Sequence, residues 1–148
     1  MQGAYWLEKP AADSDLAIAY CGALAPEARA GFEALREDHP GVGLMAITSP
    51  DLLHRGWTAA GRARWTGGPR LKSHIETLLA PLRAGAGLIT LLDGSPSALS
   101  WLGSVRGQRV RALGVERFGQ AGDLIDLYRT YRLDVDAIID AAADLALG

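Results

Sequence analysis

Apolar residues in this chain follow two rhythms. Largely apolar runs of strand length, Leu16 to Tyr20, Val42 to Thr48, Leu88 to Leu92 and Val110 to Val115, alternate with segments whose apolar positions recur every three or four residues. The unbroken run Leu16 to Tyr20 predicts a strand covered on both faces, as in a parallel sheet. The periodic segments predict helices with one buried stripe. Those stripes are Leu24, Ala28, Phe32 and Leu35; Leu53, Trp57 and Ala60; Ile75, Leu78 and Leu79; Leu124, Leu127, Tyr128 and Tyr131; and Val135, Ile138, Ala142 and Leu145, with a shorter helix around Trp101 and Leu102. Helix starts are marked by Pro26 and Glu27, by Ser49-Pro50-Asp51, by the Ser73 to Glu76 spacing of a capping box, and by Asp123 and Asp134. His39-Pro40-Gly41 and Pro81 mark helix ends, Gly67-Gly68-Pro69 a loop, and Gly85-Ala86-Gly87 a turn leading into the strand at Leu88. An aromatic run from Gly3 to Leu7 predicts a first short strand, with the loop Pro10 to Asp15 after it. Strand and helix in alternation imply an α/β layered fold with a mostly parallel sheet and right-handed crossovers.

Length and charge narrow the class. With 148 residues and 15.7 kDa the chain has the size of one domain, spanning 1–148, and can bury about two thirds of its unfolded surface. The net charge of −2 shows no block of one sign, which speaks against nucleic acid and against an electrostatic hold on a membrane. No apolar run approaches the ~20 residues of a membrane span, and a cytoplasmic protein is expected. The lone Cys21 closes the run Leu16 to Tyr20 and is expected to be a small buried hydrophobe. Trp6, Trp57, Trp65 and Trp101 are expected mostly in the core.

Open α/β sheets bind ligands beyond the carboxyl ends of their strands, so Gly22, Ser49, Asp93, Gly94 and Ser95 outline a candidate cleft. Ser49 and Ser95 are equally explained as helix caps and Gly94 as a turn residue. The turn Gly22-Ala23-Leu24-Ala25 lacks the glycines of a dinucleotide fingerprint. Ser73, His74 and Glu76 invite a catalytic reading, but a serine three residues before a glutamate is the spacing of a capping box, and no G-x-S-x-G elbow is present. His39 and His54 stand apart from other metal-ligand types, so neither a catalytic nor a metal residue is assigned. Phe118 and Gln120, on a glycine-flanked loop, are candidates for a contact surface.

The stretch from Arg109 to Leu147 carries a resemblance. Its strand, the turn Phe118-Gly119, the helix with Leu127, Tyr128 and Tyr131, and the helix with Asp134, Asp136 and Ile138 resemble, in this order, the C-terminal domain of the transketolase-like thiamine diphosphate enzymes. Ala46-Ile47-Thr48-Ser49, Trp57 and Leu113-Gly114 make the chain most similar to the homodimeric type of pyruvate dehydrogenase first component, and the likeness runs along nearly the whole chain. Arg132 and Ala121 depart from the pattern, standing where the family has glycine and serine. The resemblance implies a three-layer Rossmann-like domain, about five strands with one antiparallel edge strand. It also implies that the chain is a piece of a longer polypeptide. The parent would be a thiamine diphosphate and magnesium enzyme acting on pyruvate, another 2-oxo acid or a ketose. Its partners would be the parent's other domains, a second copy in a homodimer, and an acyltransferase component. The family's glycine-aspartate-glycine motif with downstream asparagines is missing here: Asp93-Gly94 lacks the preceding glycine, and the chain has no asparagine. A structural and dimer-packing role without catalysis by the chain alone is therefore expected. The alternative is a free-standing α/β module that binds a small ligand in the strand-end cleft.

Overall fold

A computed structural model of the chain describes residues 2–94, 96–114 and 135–147. Among these, β1 (Ala4–Glu8), β2 (Ser14–Cys21), β3 (Gly43–Ile47), β4 (Leu82–Leu92) and β5 (Arg109–Gly114) form one sheet in the order β1-β3-β2-β4-β5. β1 runs antiparallel to β3 at one edge, and the remaining pairs are parallel. Helices α1 (Ala25–Leu35) and α5 (Val135–Leu147) cover one face. The other face carries α2 (Pro50–Trp65), α3 (His74–Leu79) and a 3₁₀ turn, Pro96–Leu102, that runs on into α4 (Gly103–Arg106). The three-layer, mostly parallel α/β fold expected from the sequence is the fold observed.

The two-residue period of the strands divides the core. Leu16 and Ile18 of β2, with Leu44, Ile89 and Leu91, meet Phe32 and Leu35 of α1 and Ile138 of α5. The intervening Ala17 and Ala19, with Met45, Ile47 and Leu88, meet Leu53 of α2, Ile75 and Leu79 of α3, and Leu99 and Leu102. Polar ties hold the edges. The Trp6 indole donates to the Leu78 carbonyl (3.0 Å) and the Ser14 hydroxyl to the Gly41 carbonyl (2.8 Å). Arg109 donates to the carbonyls of Gly85 (3.0 Å) and Leu145 (2.6 Å), joining β5 to the last turn of α5.

Several expectations are corrected. Gly85-Ala86-Gly87 is no turn: β4 begins at Leu82, and the segment sits inside it as an irregularity where Ser14 pairs with Leu82 but Leu16 with Gly87. Gly85 supplies the left-handed φ of +76° that such a distortion needs, and Ala86 is buried. β2 starts two residues before the apolar run, and α1 ends at Leu35, before His39. On α2 only Leu53 is buried, while Trp57 and Ala60 are half-buried, because α3 and the 3₁₀ turn share that face with it. None of the four tryptophans lies wholly in the core: Trp6, Trp57 and Trp101 are half-buried and Trp65 is 92% exposed. On α5 the buried set is Ala137, Ile138, Ala141 and Ala142, with Leu145 partly buried and Val135 half-buried. The helix expected at Leu124 to Tyr131 lies outside the described residues.

Candidate functional site

β2 and β4 are neighbours whose outgoing chains part company. After Cys21 the chain turns to α1 on one face; after Leu92 it turns to the 3₁₀ segment on the other. Adjacent parallel strands that diverge in this way leave a crevice between their carboxyl ends. Gly22 and Asp93 stand there. Gly22 has φ +83°, and a Cβ on it would lie 3.6 Å from the Asp93 Cβ, an ordinary contact. Glycine is therefore demanded by the left-handed turn, not by lack of space. The Asp93 carboxylate is exposed and Gly94 half-buried beside it.

Ser49 lies one strand further, after β3. Its hydroxyl accepts from the Leu52 amide (3.3 Å) as the N-cap of α2, and the Thr48 and Ser49 amides donate to the Gly3 carbonyl (2.8 and 3.0 Å). These groups are occupied by the chain's own backbone. Gly22 and Asp93 are thus brought together, Ser49 is beside them as a cap, and Ser95, Phe118 and Gln120 lie outside the described residues. One residue gave no signal in the sequence beyond its place in a helical first turn. The Oε2 of Glu27, on the first turn of α1 just beyond Gly22, is buried without a hydrogen-bond partner among the described residues. Chemically this end of the sheet offers one exposed carboxylate and one orphaned acceptor, suited to donors such as hydroxyls or amines. Cys21 packs half-buried on the α2 side, and burial pushes its thiol above the ordinary range, which leaves it a weak nucleophile.

The Ser73, His74, Glu76 constellation resolves as a helix cap. The Glu76 carboxylate accepts from the Ser73 amide (2.6 Å) and hydroxyl (2.8 Å) and pairs with Arg64 (3.1 Å), while His74 Nε2 is turned away to the Ala4 carbonyl (2.8 Å). The histidine ties α3 to the edge strand, a contact that its sequence neighbours do not announce. Burial pushes the Glu76 carboxyl up, but the two bonds from Ser73 and the Arg64 guanidinium outweigh it, and the group titrates below the usual carboxylate range. A lowered folded pKa adds stability above the unfolded value of about 4.3, and that stability is lost as pH falls through the folded pKa. Glu76→Gln is expected to cost about 1 kcal/mol at pH 7 and to flatten part of the acid limb of a melting-temperature profile. A wild-type profile reproduced unchanged by the variant would remove this role.

A magnesium-held diphosphate needs a cluster of oxygen donors around the metal. Among the described residues no three His, Cys, Asp or Glu side chains stand close enough to hold a metal ion together. These residues therefore do not fit such a group.

No family model matches the sequence, and no curated protein matches it. Solved structures do. A transketolase from Leishmania mexicana superposes with a TM-score of 0.65 at 18% identity over 98% of this chain and 18% of its own. A Pichia stipitis transketolase in complex with sedoheptulose 7-phosphate gives 0.65 at 17% identity over 99% of this chain and 18% of its own. A split-gene transketolase, described as an inactive β4 tetramer, gives 0.60 at 14% identity over 96% of this chain and 41% of its own. This chain shares their Rossmann-like fold, and it spans less than a fifth of the length of the single-chain transketolases it matches. No helix among the described residues is long and apolar enough to cross a membrane.

Proposed function

We propose that this chain serves as the C-terminal-type domain of a thiamine diphosphate-dependent enzyme of the transketolase group, packing on the domains that hold the cofactor rather than holding it. The observation that carries this reading is the superposition of 98–99% of the chain on transketolases. The antiparallel edge strand β1 belongs to the pattern that the resemblance implies. The shared chemistry of the parent enzyme is cleavage of a carbon–carbon bond next to a carbonyl. Ala46-Ile47-Thr48-Ser49 and Leu113-Gly114 favour a 2-oxo acid such as pyruvate as substrate, whereas the structural neighbours are transketolases and favour a ketose. On this reading thiamine diphosphate and magnesium sit in the partner domains, the assembly is a dimer to whose packing this domain contributes, and the compartment is the cytoplasm. The test is whether thiamine diphosphate-dependent activity travels with this chain through purification.

A second reading, a free-standing module that binds a small ligand, is favoured by the Gly22–Asp93 crevice. A tight ligand raises the melting temperature by mass action, by about 2.7 kcal/mol of stabilisation at a hundredfold excess over Kd. A panel of nucleotides, sugar phosphates and 2-oxo acids is expected to leave the isolated chain unmoved. A shift that Asp93→Ala abolishes would establish the module instead.

A further inference from the structure

On α2, Trp57, Gly61 and Trp65 recur at steps of four and share one helix face. The indoles are therefore about 12 Å apart along the axis, with a glycine between them. Trp57 is fixed by stacking on Trp101, with ring centroids 5.2 Å apart, and Trp65 stands 92% exposed. Ser104 and Val105 of α4 line the same open groove of about 460 Å³, together with Arg62 and the Arg64–Glu76 ion pair. No described residue requires the glycine. Gly61 lies inside the helix at an ordinary φ, and a Cβ on it would meet no atom within 4 Å. Glycine within a helix weakens it, so a bare backbone between two indoles, with no neighbour to its Cβ position among the described residues, suits close approach from outside.

Charge decides what approaches. From Leu52 to Ile75 the chain carries Arg55, Arg62, Arg64, Arg70 and Lys72 and no aspartate or glutamate, in a protein of net charge −2. Arg64 is neutralised by Glu76, while Arg62, Arg70 and Lys72 have no acidic partner among the described residues. Leu71, 71% exposed, adds apolar surface among them. We infer that this notch is a docking site for an acidic segment of another polypeptide, one large apolar side chain entering between Trp57 and Trp65 and its flanking carboxylates meeting Arg62 and its neighbours. Aromatic and arginine side chains at such a site are the usual anchors of an interface. A second copy of this chain fits less well. Its own acidic helical surfaces, Glu33 on α1 and Asp136 and Asp144 on α5, lie across the sheet from α2, so copies would join head to tail, in a ring or an open series, and not face to face. The inference stands whether or not the parent is a thiamine diphosphate enzyme.

The test follows the indole N–H signals of the full chain by NMR during titration with a glutamate-rich peptide bearing a central leucine pair. Its lysine counterpart, vesicles of anionic lipid and a single-stranded oligonucleotide serve as rival probes. The acidic peptide is expected to shift the Trp57 and Trp65 signals and to bind at least about tenfold more weakly to Gly61→Leu and Arg62→Glu. Gly61→Leu should melt at or above the wild-type temperature, since leucine is the better helix former, which separates loss of docking from loss of fold. An unmoved spectrum, equal binding by the variants, or equal response to the lysine peptide would overturn the inference. Equally tight binding of the vesicles or the oligonucleotide would replace the polypeptide by a general polyanion. Self-association abolished by Gly61→Leu would make a second copy the occupant.

Discussion

Replacing Ile138 by alanine is expected to lower stability by about 3 kcal/mol, within the range for emptying a fully buried isoleucine site. Ile138 is fully buried where α5 crosses α1, and it fills the space over Gly31. A Cβ at Gly31 would lie 2.6 Å from Ile138 Cδ1 and 2.9 Å from Cγ2, so the two helices approach only because one side has no side chain. Gly31→Ala alone should therefore cost about 1–3 kcal/mol by overpacking, despite alanine's higher helix propensity. The double variant should cost clearly less than the sum, because the space left by one change receives the methyl of the other. Denaturant melts of the three variants measure this. Additive losses would mean that the helices do not meet at this pair.

The second large effect is expected at Gly3, where alanine should cost about 2–4 kcal/mol. Its φ is +96°, a region that side chains rarely enter, and a Cβ would stand 2.7 Å from the Ser49 carbonyl oxygen and 3.2 Å from the Leu53 amide. That carbonyl accepts the Leu53 amide in the first turn of α2, while the Gly3 carbonyl itself receives the Thr48 and Ser49 amides. One residue thus fixes the start of β1 against the β3–α2 connection, and a methyl there must displace backbone. The same substitution at Gly67, also at positive φ but with open space around it, carries only the backbone strain and should cost less. Equal melting temperatures for the two variants would contradict the contact.

The layered fold was legible because the central strands β2, β3 and β4 are buried on both faces over most of their length. Leu16 to Tyr20 and Leu88 to Leu92 have no polar side to suggest an exposed sheet, apart from the buried Thr90. Helix α1 was equally plain, since Leu24, Ala28, Phe32 and Leu35 all face one cluster. The first half of β4 was hidden, because glycines at 85 and 87 signal a turn in any sequence and only the pairing with β2 keeps them in the strand. The helical period of α2 was genuine but overstated its burial, for the period gives a face and not how much of it the neighbours cover. At the strand ends, fold logic grouped Gly22 and Asp93 with Ser49, Gly94 and Ser95 in one cleft, without saying which of them are neighbours. The meeting of Gly22 with Asp93 depends on α1 and the 3₁₀ turn leaving by opposite faces, which single-chain patterns do not encode. The tie from His74 to Ala4 joins residues 70 positions apart and has no local signature.

The measurement that bears most directly on the proposed role is co-isolation from an extract of the source organism with an antibody raised against this domain. Precipitates would be assayed for thiamine diphosphate-dependent turnover of pyruvate and of a ketose phosphate donor, before and after removal of the cofactor and magnesium. The account predicts that the activity follows the antibody, is lost on cofactor removal and returns when both are restored, while the purified 148-residue chain shows none. Precipitation of this chain without any thiamine diphosphate-dependent activity would contradict it, as would turnover by the purified chain alone.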